Sequence, residues 1–189
     1  EFNIGKFGNV ETSRLSVEDA ICQVKWENNI ELNSFVHATE RVGWFRFKGV
    51  SPDFKPILVP PAYASKGKNE TESPVAGQDL RRLEYPKGDI IVEDKSITYN
   101  QEGWGGFKYQ VNVSWTQTGS ELIGCWSISS DFPKWKKSID AKDIVGTNLA
   151  TGYLNAFKSH KIWWRNFWNK SSITIPDAFR PATLSSRSS

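Results

Sequence analysis

The sequence predicts a mainly β fold, an antiparallel β-sandwich that ends in one C-terminal amphipathic helix. Three observations support this class. Apolar and polar residues alternate over several short segments, and turn-forming residues separate these segments. After residue 141 the apolar spacing changes from two to about 3.6 residues. The chain has 189 residues, enough to bury a core of its own.

The first predicted meander covers residues 20–48. Cys22, Val24 and Trp26 alternate with polar neighbours, as in a half-buried strand, and residues 27–29 have the composition of a tight turn. Two further strands are predicted over residues 30–38 and 42–48, with a short break between them.

Residues 49–79 are predicted to be a long irregular connection. Five prolines interrupt any regular element, and the segment 65–73 is polar and charged. Loops of this length in a compact domain are usually functional or disordered. We expect an ordered loop near Tyr63 and a mobile tip over residues 66–72.

The sheet is expected to resume after this connection. Phe107, Tyr109, Val111, Val113 and Trp115 alternate with polar residues in the clearest strand pattern of the chain. At least seven short strands with turns between them favour an antiparallel sandwich over a parallel α/β sheet. The strands predicted in this half span residues 89–93, 96–100, 107–115 and 121–129.

The C-terminal part is predicted to be a single helix over residues 147–169. Thr147 or Asn148 is its expected N-cap, and Leu154 and Ile162 fall on its polar side. One broad apolar stripe carries Leu149, Tyr153, Ala156, Phe157, His160, Trp163, Trp164, Phe167 and Trp168.

Composition and charge exclude several classes of partner. The formal net charge of +3 is small and the 24 basic residues are spread along the chain, so we expect no nucleic-acid partner. No stretch of about eighteen apolar residues occurs, so we expect no membrane span. The N-terminus lacks the pattern of a signal peptide.

The two ends suggest a piece of a longer protein. The chain contains no Met, so Glu1 is not expected to be the first residue translated, and residues 184–189 are typical of linker or vector sequence. We expect a β-sandwich domain over residues 1–140, a linker helix with a short extension over 141–177, and a tail over 178–189.

Cysteine and histidine suggest no metal or other cofactor. Cys22 and Cys125 have no metal-like spacing and are either a disulfide or two buried thiols. His37 and His160 lack ligand-spaced partners, and buried, hydrogen-bonded roles are expected for both.

No self-contained catalytic motif is present. Glycoside hydrolysis needs two facing carboxyl groups, but no carboxylate is marked out by its sequence context. The available carboxylates in the central part of the chain are Asp79, Glu84, Asp89, Glu93, Asp94 and Glu102.

Aromatic residues make up 13% of the chain, more than one core usually needs. Flat aromatic rings can stack on the C–H faces of sugar rings, so the surplus suggests carbohydrate. Trp104 is the clearest candidate, because it is flanked by three glycines at a predicted hairpin tip and has little local chain to bury it. Its ring is expected either to be tucked under a neighbouring loop or to be offered to a flat ligand. Trp44, Tyr63 and Trp135 are the other candidate stacking residues.

Several stretches, in order along the chain, resemble one family. The most specific is residues 160–171, with the pattern His-x-x-Trp-Trp-x-x-Phe-Trp-x-x-Ser. They resemble the N-terminal β-sandwich and linker helix of bacterial glycoside hydrolases with an (α/α)6 barrel, similar to the fucosidase-type family 95 and its relatives. The other stretches are residues 35–40, 43–47, 101–107 and 126–130.

The resemblance covers roughly residues 15–177 and starts partway through the sandwich, which implies an incomplete supersandwich. In such enzymes the acid and the base lie in the barrel, so no catalytic residue is carried over to this chain. The resemblance implies a carbohydrate-processing origin and a parent protein that is secreted or periplasmic.

We therefore expect a non-catalytic, carbohydrate-associated domain of a larger glycoside hydrolase, structural or weakly sugar-binding, with an oligo- or polysaccharide as partner. The alternatives are an independent carbohydrate-binding module and a small glycoside hydrolase in its own right. Unless the helix folds back onto the sheet, its aromatic stripe is expected to cause self-association through Trp163, Trp164, Phe167 and Trp168.

Overall fold

The computed structural model describes residues 1–60, 85–131 and 140–171. Within these ranges the predicted mainly β, antiparallel class with a helical C-terminal part is confirmed. The strands are β1 (Val10–Ser16), β2 (Ile21–Trp26), β3 (Ile30–Val36), β4 (Gly43–Lys48), β5 (Asp89–Glu93), β6 (Ser96–Glu102), β7 (Lys108–Thr118) and β8 (Glu121–Ser130). The helices are α1 (Ala141–Thr151) and α2 (Tyr153–Trp168).

The described strands form one eight-stranded sheet in the order β1-β2-β3-β4-β8-β7-β6-β5, with antiparallel neighbours throughout. Each half of the chain folds as a four-stranded meander, and the two meanders join where β4 pairs with β8. The two stacked sheets of a simple sandwich are replaced, in this part of the chain, by one continuous sheet with one core cluster on each face.

Strand β1 is an element that the sequence pattern did not predict. Its residues are almost all exposed, so no alternation of apolar and polar residues marks it. The strand exists because its backbone pairs with β2 along the edge of the sheet. A strand held by backbone pairing alone leaves little trace in the side-chain pattern.

One face of the sheet is covered by the N-terminal segment and by the chain that follows β4. Phe45 and Phe47 of β4 lie on this face and contact the rings of Phe2 and Phe54. Trp26 of β2 joins the same cluster through its contact with Phe7. Burying aromatic side chains of this kind stabilises the fold by roughly 1.5–3 kcal/mol each.

The two helices cover the opposite face. Phe35 of β3 and Trp44 of β4 pack against Tyr153 and Phe157 of α2. Val145 of α1 completes this second core cluster, which also contains Cys125. Helix α2 therefore folds back onto the sheet. The expected self-association through the whole aromatic stripe required a helix that does not fold back, so this requirement is not met.

The predicted single helix over residues 147–169 is wrong, because two helices are present and they meet at Gly152. This residue has φ 88° and ψ 148°, a conformation that favours glycine, and it ends the first helix. The predicted caps are also wrong: Thr147 and Asn148 lie inside α1, and Asp140 occupies the N-cap position.

Cys22 and Cys125 are both free thiols on different faces of the sheet. Strands β3 and β4 lie between the strands that carry them, so three strand spacings of about 4.8 Å separate the two positions. A disulfide needs Cα atoms within about 7 Å, so this fold excludes the pair. Burial raises the pKa of the Cys125 thiol to about 12.

The prediction of buried, hydrogen-bonded histidines is confirmed. His37 Nδ1 accepts the N–H of Glu40 at 3.0 Å, so Nε2 carries the proton and donates to Ser159 Oγ at 3.0 Å. His160 Nε2 lies 3.3 Å from the carbonyl oxygen of Ala20, and its Nδ1 is buried without a partner among the described residues. Burial lowers the pKa of both imidazoles.

This histidine pair should make the fold sensitive to mild acid. Because burial lowers both pKa values, the unfolded chain binds protons more readily near pH 6.5, the usual histidine value. The histidine contribution to the free energy of unfolding should be level well above the usual pKa of about 6.5 and should fall as the pH drops through that value toward the lowered native pKa values. Urea denaturation at about pH 7.5 and about pH 5.5 measures the difference.

The variant His160→Gln should lose less stability between the two pH values, because glutamine can bond Ala20 without titrating. Glu27 and Glu31 do not interfere, since hydrogen bonds lower the pKa of each carboxyl below 4.5. Equal pH sensitivity in the variant and the parent chain would contradict this role of His160.

Candidate functional site

Trp104 lies at the tip between β6 and β7, as the sequence predicted, and its side chain is 84% exposed. The tip is a short 3₁₀ turn, Trp104–Gly106, closed by a bond from the N–H of Phe107 to the Trp104 carbonyl oxygen. Gly105 and Gly106 have φ values of 66° and 82°, which other residues rarely adopt. Within the described residues the indole ring is left largely uncovered.

A polar groove of ≈ 690 Å³ lies beside this tip, at the ends of strands β5 to β8 and the start of α1. Its volume is within the range of about 300–1,000 Å³ that small-molecule sites usually have. Antiparallel pairing aligns Asp89, Asn100, Gln110 and Ser129 in one row across the four strands. All four residues line the groove.

A neighbouring cross-strand row also borders the groove, although its side chains project from the opposite face of the sheet. Gln101 of β6 pairs with Tyr109 of β7, and Tyr109 pairs with Ser130 of β8. The Gln101 side chain is 2% exposed and donates to the Pro86 carbonyl oxygen at 2.8 Å. Its carbonyl oxygen accepts the hydroxyl of Tyr99, so the Gln101 side chain is held in one conformation.

The start of α1 forms another boundary of the groove. The N–H of Ala141 donates to Ser129 Oγ at 3.0 Å, and the N–H of Lys142 donates to Gln110 Oε1 at 3.1 Å. These two bonds satisfy N–H groups that a helix leaves without intrahelical partners. The helix start and the sheet edge therefore form one rigid unit around the groove.

The groove is acidic. Four carboxylates and two lysines line it, and Lys108 pairs with Glu102 at 2.5 Å. The hydrogen bond and the charge of Glu102 raise the pKa of Lys108 above its usual 10.5. The N–H of Lys108 also donates to Asp131 Oδ1 at 2.7 Å, so two of the carboxylates already hold partners.

A second groove, of ≈ 390 Å³, lies on the sheet face that the N-terminal segment covers, and it is largely apolar. Phe45, Val113 and Trp126 form part of its floor, and residues 56–59 form one side. The backbone of Glu1 pairs with that of Ile57 through two hydrogen bonds of 2.7 and 2.8 Å. With few polar groups to orient a ligand, this groove is less specific than the acidic one.

The other predicted stacking residues do not join Trp104. Trp44 is 0% exposed and packs edge-on against Tyr153, so its ring offers no face to a ligand. The prediction for Trp44 is therefore corrected: it is a core residue of the helix-covered face. Tyr63 and Trp135 lie outside the described residues.

The carboxylates noted in the sequence divide between the groove and other positions. Asp89 and Glu102 line the groove, whereas Glu93 pairs with Lys142 at 2.8 Å. Asp79 and Glu84 lie outside the described ranges. Sequence reasoning missed Asn100, Gln110, Ser129 and Asp131, because only the strand register brings them together.

No group of His, Cys, Asp or Glu side chains that could hold a metal ion occurs within residues 1–60, 85–131 and 140–171. In the same part of the chain, no helix is long and apolar enough to cross a membrane.

Comparison with known proteins identifies the fold only. No family model matches the chain, and no curated protein matches its sequence. Among solved structures, the chain resembles a protein described as a "putative kojibiose phosphorylase from human microbiome", with a TM-score of 0.53 and 11% identity. The match covers 84% of this chain and 24% of that protein, so the chain spans about a quarter of its structural relative.

Proposed function

We propose that this chain is a carbohydrate-associated, non-catalytic domain of a larger, secreted or periplasmic glycoside hydrolase-like protein, and that it binds oligo- or polysaccharide weakly. The observation that carries the proposal is the 84% exposed ring of Trp104 on a tip whose flanking residues, Glu102 and Lys108, line a polar groove of ≈ 690 Å³. An exposed aromatic face and a row of polar groups are the two surfaces with which proteins hold sugars.

The structural relative supports the carbohydrate part of this proposal. That protein is named for kojibiose, a disaccharide, and the similarity spans 84% of this chain but only 24% of the relative. A small share of the longer chain is consistent with a domain that accompanies a catalytic one. We propose further, from the sequence resemblance, that the larger protein belongs to the fucosidase-type family 95 or to one of its relatives.

The contacts of the groove carboxylates support a non-catalytic role. Glycoside hydrolysis needs one carboxyl group that gives a proton and one that attacks or activates water. Glu102 is held by Lys108, and Asp131 accepts a backbone N–H, so these two groups act as structural acceptors. An independent carbohydrate-binding module is the alternative that shares this site.

A small glycoside hydrolase is a second candidate function, and one observation favours it. Four carboxyl groups line a single groove, and Asp89 and Asp140 remain available to a ligand when the held Glu102 and Asp131 are set aside.

The purified chain should not cleave glycosides. Incubation with aryl glycosides, and with kojibiose in the presence and absence of phosphate, should give no product above a protein-free control. Chromatography of the sugars would detect turnover of either kind. Product formation that disappears in Asp131→Asn, with the fold intact by circular dichroism, would overturn the non-catalytic assignment.

Removal of the exposed indole should weaken sugar binding. Trp104→Ala should raise the dissociation constant for kojibiose or for longer oligosaccharides by roughly two- to tenfold, since stacking contributes about 0.5–1.5 kcal/mol. Isothermal titration calorimetry measures the change. Trp163→Ala removes an exposed indole from α2 and should leave the affinity unchanged, whereas an equal loss in both variants would contradict a specific role for Trp104.

We also propose that the exposed part of the aromatic stripe supports weak self-association. Trp164 and Trp168 are half-buried, and Trp168 Nε1 donates to the Val17 carbonyl oxygen at 3.0 Å. Trp163 and Phe167 are each 39% exposed, and their rings stack at 5.6 Å. The expected contact is therefore smaller than the four-residue stripe of the sequence prediction.

Sedimentation velocity should show an average mass that rises with protein concentration. The double variant Trp163→Ser/Phe167→Ser should abolish the rise, because it removes the exposed stacked pair. Leu154→Ser, which changes another exposed apolar residue on the same helix, should leave it in place. A parent chain that stays monomeric at high concentration would contradict the proposal.

A further inference from the structure

The polar row of the groove has the length of more than one sugar ring. Asp89, Asn100, Gln110 and Ser129 stand opposite one another on four neighbouring strands. Neighbouring strands are about 4.8 Å apart, so the row extends for about 14 Å. Paired residues project from the same face of a sheet, so one extended ligand can reach all four side chains.

The bonds within the row arrange its donors and acceptors before any ligand arrives. Gln110 Nε2 donates to Asn100 Oδ1 at 3.0 Å, and Gln110 Oε1 accepts the N–H of Lys142. Asn100 therefore keeps its two N–H donors, which have no partner within residues 1–60, 85–131 and 140–171. The adjacent carboxylate of Asp89 can only accept.

Alternating donors and acceptors of this kind suit hydroxyl groups. Each sugar hydroxyl donates one hydrogen bond and accepts others, so neighbouring hydroxyls can bond an amide N–H and a carboxylate together. A ligand with acceptors alone would leave the carboxylates of Asp89 and Asp140 without donors. Burial of such unpaired polar groups is unfavourable.

The charge of the groove further restricts the class of ligand that can bind. Its four carboxylates outnumber its two lysines, and Lys108 is already paired with Glu102. An anionic ligand would meet net repulsion in a concave site, where charges are screened less than on an open surface. Uronic acids, sulfated sugars and phosphates are therefore disfavoured.

We infer that this groove binds a neutral oligosaccharide of at least two rings, laid across the ends of β5 to β8 with the polar row beneath it and Trp104 at its edge. This inference rests on the proposed carbohydrate function and adds the site, the charge and the minimum length of the ligand. The rings cross the strands, because the polar row runs perpendicular to them.

The chain offers a matched control for the test. Gln23 Nε2 donates to Asn33 Oδ1 at 2.8 Å, which is the same type of cross-strand amide pair between β2 and β3. Strands β3, β4, β8 and β7 separate β2 from β6 in the sheet, so this pair is remote from the groove. Asn100→Ala and Asn33→Ala therefore make the same chemical change at two places.

The experiment is a two-dimensional amide NMR titration of the full chain with glucose, kojibiose, maltotriose, cellotriose and trigalacturonate. Neutral di- or trisaccharides should shift amide signals of β5 to β8, whereas glucose and trigalacturonate should bind at least about fivefold more weakly. Asn100→Ala should weaken binding of the best neutral sugar about fivefold, and Asn33→Ala should have no effect. If Asn100→Ala does not fold, Asp89→Ala takes its place in the test. Asp89 is exposed, and its replacement should weaken binding by the same factor.

The outcomes separate the two proposals. Saccharide binding that depends on Trp104 but not on Asn100 or Asp89 would show that the groove is not the binding site. The proposed carbohydrate function would then still stand. Equal or tighter binding of trigalacturonate would overturn the neutral-ligand inference. The absence of any shift with all five sugars at millimolar concentration would overturn both the groove and the proposed sugar binding.

Discussion

The pairing of β4 with β8 is the interaction on which the rest of the structure depends. It joins the two meanders of the chain, and both core clusters lie over it. Two glycines make the pairing possible: a Cβ on Gly124 would collide with the ring of Phe45, and one on Gly43 would collide with Trp126. Each glycine faces an aromatic ring across the ladder, so large rings cover the backbone where side chains are absent.

Strand β8 also connects the core to the groove. Leu122 and Cys125 of β8 are fully buried in the two clusters, and Ser129 and Ser130 at the end of the strand line the groove. Helix α1 packs over Cys125 through Val145, and its first N–H reaches Ser129. Because the core holds both β8 and α1, the polar row is held rigidly at low entropic cost to binding.

Two tryptophans illustrate how position decides the role of one residue type. Trp44 lies in the central strand under α2, where its ring adds to the core. Trp104 lies on a glycine-rich tip at the end of β6, where its side chain is largely exposed. The excess of aromatic residues therefore divides into a large structural share, which includes most of the helix stripe, and a small exposed share available to ligands.

The sequence by itself determined the class of the fold and the position of Trp104 on a tip between two strands. Alternating patterns in β2, β4, β7 and β8 mark half-buried strands, because side chains on opposite faces of a strand meet different environments. The glycines around Trp104 predicted a tip with little local chain to cover the ring, and the structure shows which of the two expected outcomes occurs, since the side chain is 84% exposed. Gly152 is the residue at which the helix breaks. Its break was not predicted, because the aromatic stripe continues past it.

The tertiary structure decided everything that depends on which strands are neighbours. The β4–β8 pairing links residues 73 to 83 positions apart and joins the two meanders into one sheet. Register alone aligns Asp89, Asn100, Gln110 and Ser129, which are separate polar residues in the sequence. Local patterns report the environment of each side chain, but pairing between distant strands is set by the whole core, so the groove could not be predicted from the chain alone.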